Sequence, residues 1–125
     1  MLPLPGHPET AMTECLFCRI AQGQIPAKIL VQSDRALAFA DIHPQAPFHA
    51  LIIPRAHFAN AAHMTRTAPD TLVAVFDLAQ TLVEQAGLAD AGYRMVFNTG
   101  VDGGQTVYHA HLHVLGKRKL TWPPG

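Results

Sequence analysis

Apolar and polar positions alternate along this chain with two periods. Leu72, Val75, Phe76, Ala79, Leu82, Val83 and Ala86 recur at spacings of three and four. That is one face of an amphipathic helix of about four turns, ending near Gly87. Thr65–Asp70 carries its start signals: Thr67 and Asp70 are placed as a capping pair, with Pro69 in the first turn. A shorter stripe of Leu16, Phe17 and Ile20 predicts a helix over Glu14–Ala21, stopped near Gly23 with Pro26 beyond. Four segments read as strands: Ile29–Val31, Ala36–Ile42, His49–Ile53 closed by Pro54, and Tyr93–Asn98. Leu37, Phe39 and Asp41 share one strand face. A fifth strand, Val107–Leu115, alternates His109, His111 and His113 with Ala110, Leu112 and Val114, so its three imidazoles share a face. Short turns between neighbouring strands favour an antiparallel sheet, and segregated helices favour an α+β class. Residues 1–13, rich in proline, read as a flexible N-terminal arm, and residues 14–125 as one domain.

Composition narrows the picture. The chain has 125 residues, 49% of them hydrophobic and 14% charged, with zero formal net charge. No basic stripe is present, so a protein that tracks a nucleic-acid backbone is not expected. No apolar run approaches the roughly 20 residues needed to span a bilayer, so no membrane partner is expected. The start lacks the basic and apolar regions of a signal peptide. The two cysteines, Cys15 and Cys18, lie three apart, which argues against a disulfide framework and fits a reducing cytoplasm.

Three readings compete for the histidine row: a solvent-facing polar strand, a single metal site, or an active-site row. On a strand rising ~3.3 Å per residue the outer two Cα atoms lie ~13 Å apart. That is too far for all three rings to reach one ion at ~2.0–2.1 Å without a sharp bend. Histidine suits group transfer near neutral pH, which favours the active-site row. Gly103-Gly104-Gln105-Thr106 just precedes it. A glycine pair there is ordinarily a hairpin turn. Beside three histidines it becomes a candidate phosphate nest, to which Asn98 can add its amide.

Asn98, Gly103-Gly104-Gln105-Thr106-Val107-Tyr108 and His109-Ala110-His111-Leu112-His113-Val114-Leu115 resemble the signature of the histidine triad (HIT) superfamily. Gly116, the segment Asp41–Pro47 and the ending Trp122-Pro123-Pro124-Gly125 resemble its Hint branch, the histidine triad nucleotide-binding proteins. The likeness spans residues 14–125. It implies a five-stranded antiparallel sheet with one long and one short helix, two such sheets joining across a homodimer. It also implies a purine nucleoside phosphoramidase acting on adenosine or guanosine phosphoramidates to release AMP or GMP, with no cofactor required for catalysis. By the same likeness His111 is the nucleophile, its Nδ1–H held by the His109 carbonyl, and His113 contacts phosphate oxygens alongside Asn98 and backbone N–H groups near His111; the nucleotide-binding set also takes in Gly104 and Gln105 of the glycine turn. Thr106 stands where a serine is common and assists the leaving group, and His49 buttresses the triad. Asp41 takes the ribose hydroxyls, while Leu16, Phe17, Ile20, Phe39 and Ile42 sandwich the purine. His43 departs from a frequent serine. Trp122 reaches toward the neighbouring subunit's site.

Cys15 and Cys18 carry a separate question. A closed zinc site wants four ligands. Many bacterial relatives complete one with histidines at the positions of His57 and His109, and all four residues are present here. Structural zinc and a pair of buried free thiols both remain open; a redox pair lacks the βαβ context it needs. His63 matches no role and is expected at the surface. Two other readings stand beside the phosphoramidase. A dinucleoside polyphosphate hydrolase of the Fhit branch usually has proline at the position of Gly116 and lacks the Trp-Pro-Pro-Gly ending. A nucleotide-binding regulatory module would turn over substrate only incidentally.

Overall fold

The structure, a computed structural model, describes residues 14–125, so the arm 1–13 lies outside the described residues. Five strands, β1 Ile29–Gln32, β2 Ala36–Ala40, β3 Phe48–Pro54, β4 Tyr93–Phe97 and β5 Leu112–Gly116, form one sheet in the order β1-β2-β3-β5-β4. Every neighbouring pair is antiparallel, as expected. Three helices flank it: α1 Leu16–Ala21, α2 Ala61–Thr67 and α3 Pro69–Gln85.

Strand alternation divides the interior into two layers. Ala36 and Ala38 of β2, Ala50 and Ile52 of β3, and Leu112 and Val114 of β5 pack with Val75, Leu78, Ala79, Leu82 and Val83 of α3. The three fully buried alanines leave room for the helix to lie close to the strands. Leu37, Phe39, Leu51 and Ile53 turn the other way and pack with Cys15, Phe17, Cys18 and Ile20 around α1. β2 and β3 are therefore apolar on both faces.

The long helix begins differently from its sequence signals. Ala68 is the N-cap and makes no side-chain cap bond, although Pro69 does open the helix. The Thr67 hydroxyl instead donates to the His63 carbonyl within α2, so the Thr67/Asp70 capping pair does not form. The sequence reading missed α2. Its start signal is Asn60, whose side chain accepts the His63 N–H at 2.9 Å, and fully buried Met64 pins it to the core. His63 is consequently half-buried against Phe58 rather than on the surface. The other end of α3 follows the pattern. Gly87 at φ +72° donates to Glu84, and Leu88 donates to Val83, which closes the helix in a Schellman turn.

Gly103 lies in the turn between β4 and β5, where an added Cβ would sit 2.3 Å from the Thr99 carbonyl oxygen. The oxygen is main chain and the Cβ is fixed by its own backbone, so neither can swing aside. Gly103→Ala is expected to cost about 1–3 kcal/mol, as other forced overpacking does. A denaturant midpoint equal to wild type would show that the turn relaxes freely.

Candidate active site

The histidine row enters the sheet later than its alternation suggests. β5 begins only at Leu112, and Val107–His111 is not strand. Continuing the β3–β5 register past Ile52–Leu112 would set Ala110 opposite Pro54, which has no N–H to give. Ala110 donates instead to Phe58 at 2.7 Å. The alternation of faces nevertheless survives: Ala110, Leu112 and Val114 join the α3 layer, while Phe17 of α1 meets His109 and His111 edge-on.

Gln105 shapes the approach to this row. It is buried, its Nε2 donates to the Ala59 and Val107 carbonyls at 2.7 and 3.1 Å, and its Oε1 accepts the Gly100 N–H at 3.0 Å. The Gly104 and Gln105 N–H groups close the turn on the Val101 and Gly100 carbonyls. Those amides are thus spent on the loop, and the anion nest read from Gly103–Thr106 does not form from them.

Hydrogen bonding fixes the ring tautomers. His111 places Nδ1 2.8 Å from the His109 carbonyl oxygen. A carbonyl can only accept, so Nδ1 carries the proton and Nε2 of the neutral ring keeps its lone pair. His49 Nδ1 lies 3.0 Å from the Gln45 main-chain N, which can only donate. His49 therefore carries its proton on Nε2 and donates to His113 Nδ1 at 2.9 Å. His113 in turn bears its proton on Nε2, a buried atom with no partner among the described residues. Asp41 Oδ2 stands 3.4 Å from His49 Nε2, and its Oδ1 accepts the His43 N–H at 2.8 Å. Asp41, His49 and His113 also cluster tightly enough to suggest a cation site. The proton on His49 Nε2 makes them a hydrogen-bond relay instead.

Burial keeps these rings neutral. His111 is pushed below its ordinary value mainly by desolvation, against the pull of the His109 carbonyl and Asp41. Burial also lowers His49, opposed by the Asp41 charge. His113 falls from 6.5 to about 4 through burial, then the neighbouring His111 and His49. Between those two pH values the unfolded chain binds a proton that the folded chain excludes. The stability His113 contributes is fully present above about pH 6.5 and is lost as pH falls toward 4. The melting temperature is expected to drop over this window less steeply in His113→Asn than in wild type. Parallel curves would refute that link.

His111 and His113 open onto a cleft of about 510 Å³. Leu16, Phe17, Ile20, Phe39, Asp41, Ile42 and Thr106 also line it, so the structure brings most of the expected residues together. Asn98, Gly104, Gln105, His49, His109 and Trp122 do not line it; Trp122 is 79% exposed. The sequence reading missed Ile25, Pro26, Ala27, Lys28, Ala40, Leu51 and Val107, which also line the walls. Ile25 and Ala27 follow α1 in a loop without periodicity, so only the fold reveals them.

Behind the row lies a second cluster. The donor atoms of Cys15, Cys18, His57 and His109 all lie within 4.8 Å of one another. Cys15 Sγ and Cys18 Sγ stand 3.4 and 3.5 Å from His109 Nδ1, and Cys18 Sγ stands 3.4 Å from His57 Nδ1. A tetrahedral zinc with bonds of ~2.3 Å to sulfur and ~2.05 Å to nitrogen has S···N edges of about 3.5 Å. His109 donates Nε2–H to the Pro54 carbonyl at 2.8 Å, so its lone pair sits on Nδ1, facing the thiols. Both histidines are lowered, His109 to about 4, mainly by burial. The Cys18 thiol is pushed up to about 12 by burial and by Cys15. The donor set fits a closed four-ligand metal site.

Relatives share this architecture. Residues 22–120 match the family model described as HIT domain. An uncharacterized HIT-like protein of Synechococcus elongatus is 45% identical over 112 residues, covering 90% of this chain and 97% of that protein. A 14 kDa zinc-binding protein of Zea mays is 40% identical over 112 residues, covering 88% and 87%. The crystal structure of a HIT family hydrolase from Legionella pneumophila superposes with a TM-score of 0.85 at 50% identity, covering 89% of this chain and 99% of that one. With the histidine row, the antiparallel sheet and these likenesses in agreement, the chain belongs to the HIT domain family.

Proposed function

We propose that this protein is a purine nucleoside phosphoramidase. His111 Nε2 attacks the α-phosphorus of an adenosine or guanosine 5′-phosphoramidate. The P–N bond breaks, the departing nitrogen takes a proton from solvent by way of the Thr106 hydroxyl, and a cationic nucleotidyl-His111 forms, whose hydrolysis returns that proton. Water then cleaves the P–N bond to His111, releasing AMP or GMP and restoring neutral imidazole. One observation carries this reading: the His111 tautomer, with its proton held by the His109 carbonyl and its lone pair free beside a nucleotide-sized cleft. His113 offers its unpartnered Nε2–H to a phosphate oxygen, where charge grows in the transition state. Thr106 assists the leaving group, and Asn98 and the backbone N–H groups near His111 approach the phosphate. The apolar walls take the purine, and Asp41 takes the ribose hydroxyls.

Cys15, Cys18, His57 and His109 hold a structural zinc in this proposal. When bound, it supplies coordination only, since four protein donors leave no open position for substrate. The working form is a homodimer whose two five-stranded sheets join into one, with Trp122 reaching toward the partner's cleft. Its compartment is the cytoplasm. Among the described residues, no helix is long and apolar enough to cross a membrane.

Rapid quenching of the enzyme with an adenosine 5′-phosphoramidate, followed by peptide mass spectrometry, tests the chemistry. An adenylyl group on His111 is the expected result. Rapid AMP release with the adduct elsewhere, or with none at any quench time, would refute the covalent route.

A further inference from the structure

The metal quartet and the nucleophile are two ends of one piece of chain. His109 offers its ring Nδ1 to the quartet and its main-chain carbonyl to His111, 2.8 Å away. Its ring is also fixed from behind by the Pro54 carbonyl at 2.8 Å. A second connection runs through α1. Cys15 caps this helix and Cys18 lies within it. Between them Phe17 meets His111 edge-on, with ring centroids 5.1 Å apart, and forms part of the cleft wall. α1 has six residues, too few to hold a helix unaided. Its position depends on what its side chains grip.

We propose that the quartet is a positioning device for the catalytic site. Closing Cys15, Cys18, His57 and His109 on a divalent metal fixes the His109 carbonyl, and thereby the tautomer and aim of His111. The same closure seats Phe17, and with it the cleft wall. The inference rests on the reading of His111 as nucleophile. Without the closed quartet, the Cys15 cap and the first turn of α1, which holds Cys18, lose their shared anchor. Among the described residues, the His109 peptide is then held only by the Ala110 N–H bond to Phe58 and, through its ring, by Pro54, and His111 gains access to the tautomer with its proton on Nε2, which has no lone pair for phosphorus. Two separable effects follow: a lower kcat from the tautomer, and weaker nucleotide binding from the displaced wall.

His57→Ala tests this, because His57 gives one donor to the quartet and does not line the cleft. The variant is compared at 5 °C with zinc-loaded wild type by four readouts: kcat and KM on an adenosine phosphoramidate, AMP affinity by calorimetry, ¹⁵N shifts of the His111 ring, and far-UV circular dichroism. With native dichroism, kcat is expected to fall about 10–100-fold, as for other residues that orient a site through a neighbour. AMP affinity should fall as well, and the two His111 ring ¹⁵N shifts should converge. His57→Cys, which restores four donors, should recover all of these. Unchanged kcat and His111 shifts in a natively folded, metal-free variant would overturn the proposal. Should His57→Ala unfold, stepwise chelation of wild type decides. Turnover must fall before the dichroism changes, and loss of both in step would overturn the coupling. A loaded wild type inactive on phosphoramidates would sink the functional reading alone, because the ¹⁵N shifts and AMP affinity still judge the coupling.

Discussion

Replacing His111 by alanine is expected to lower phosphoramidate turnover by at least about 10⁴-fold, the scale on which removing a covalent nucleophile acts. The reason lies in the neighbours, none of which can stand in. His113 Nδ1 accepts the Nε2–H of His49 and its Nε2 bears the ring's own proton, so neither nitrogen offers a lone pair to the cleft. His109 is fully buried, with Nε2–H on Pro54 and Nδ1 turned to the two thiols. AMP binding should survive within a few-fold, because Leu16, Ile20, Phe39 and Ile42 still wall the cleft. Chromatographic release of AMP measures the first quantity and calorimetry the second. Turnover within tenfold of wild type would remove His111 from the mechanism.

Protein purified without added metal is expected to carry about one zinc per chain, and stripping it should lower the melting temperature by roughly 10 °C or more. The four donors form a closed site only in the folded chain, so binding free energy is folding free energy. A few kcal/mol shifts the midpoint of a domain this size by about 3–5 °C each. Loss of the metal leaves two thiols and two lowered imidazoles facing one another, with Cys18 raised to about 12. Acid acts in the same direction, because protons compete for the thiolates and imidazoles. Elemental analysis and a chelator melt check both statements. Well under one ion per chain, with a melting curve indifferent to chelator, would assign these residues to plain core.

Much of this molecule was legible in one dimension. The three-and-four spacing from Leu72 to Ala86 specified α3, because a 3.6-residue period has one apolar face. Alternation from Ala110 to Val114 specified which histidines share a side, because pleating sends successive residues to opposite faces. α2 was missed because its seven residues, Ala61–Thr67, carry one deeply buried side chain, Met64, and no repeating stripe. The late start of β5 was missed because it depends on Pro54, a residue fifty-eight positions before Leu112 that cannot extend the ladder.

The sequence by itself determined which residue types this protein owns: a row of imidazoles, two thiols three apart, and the apolar faces that fold them inward. Only the tertiary structure decided which nitrogen of each ring carries its proton. That choice belongs to the His109 and Pro54 carbonyls and the Gln45 amide, main-chain groups whose type no side-chain pattern encodes. A ring's tautomer is set by the partner folding brings to it.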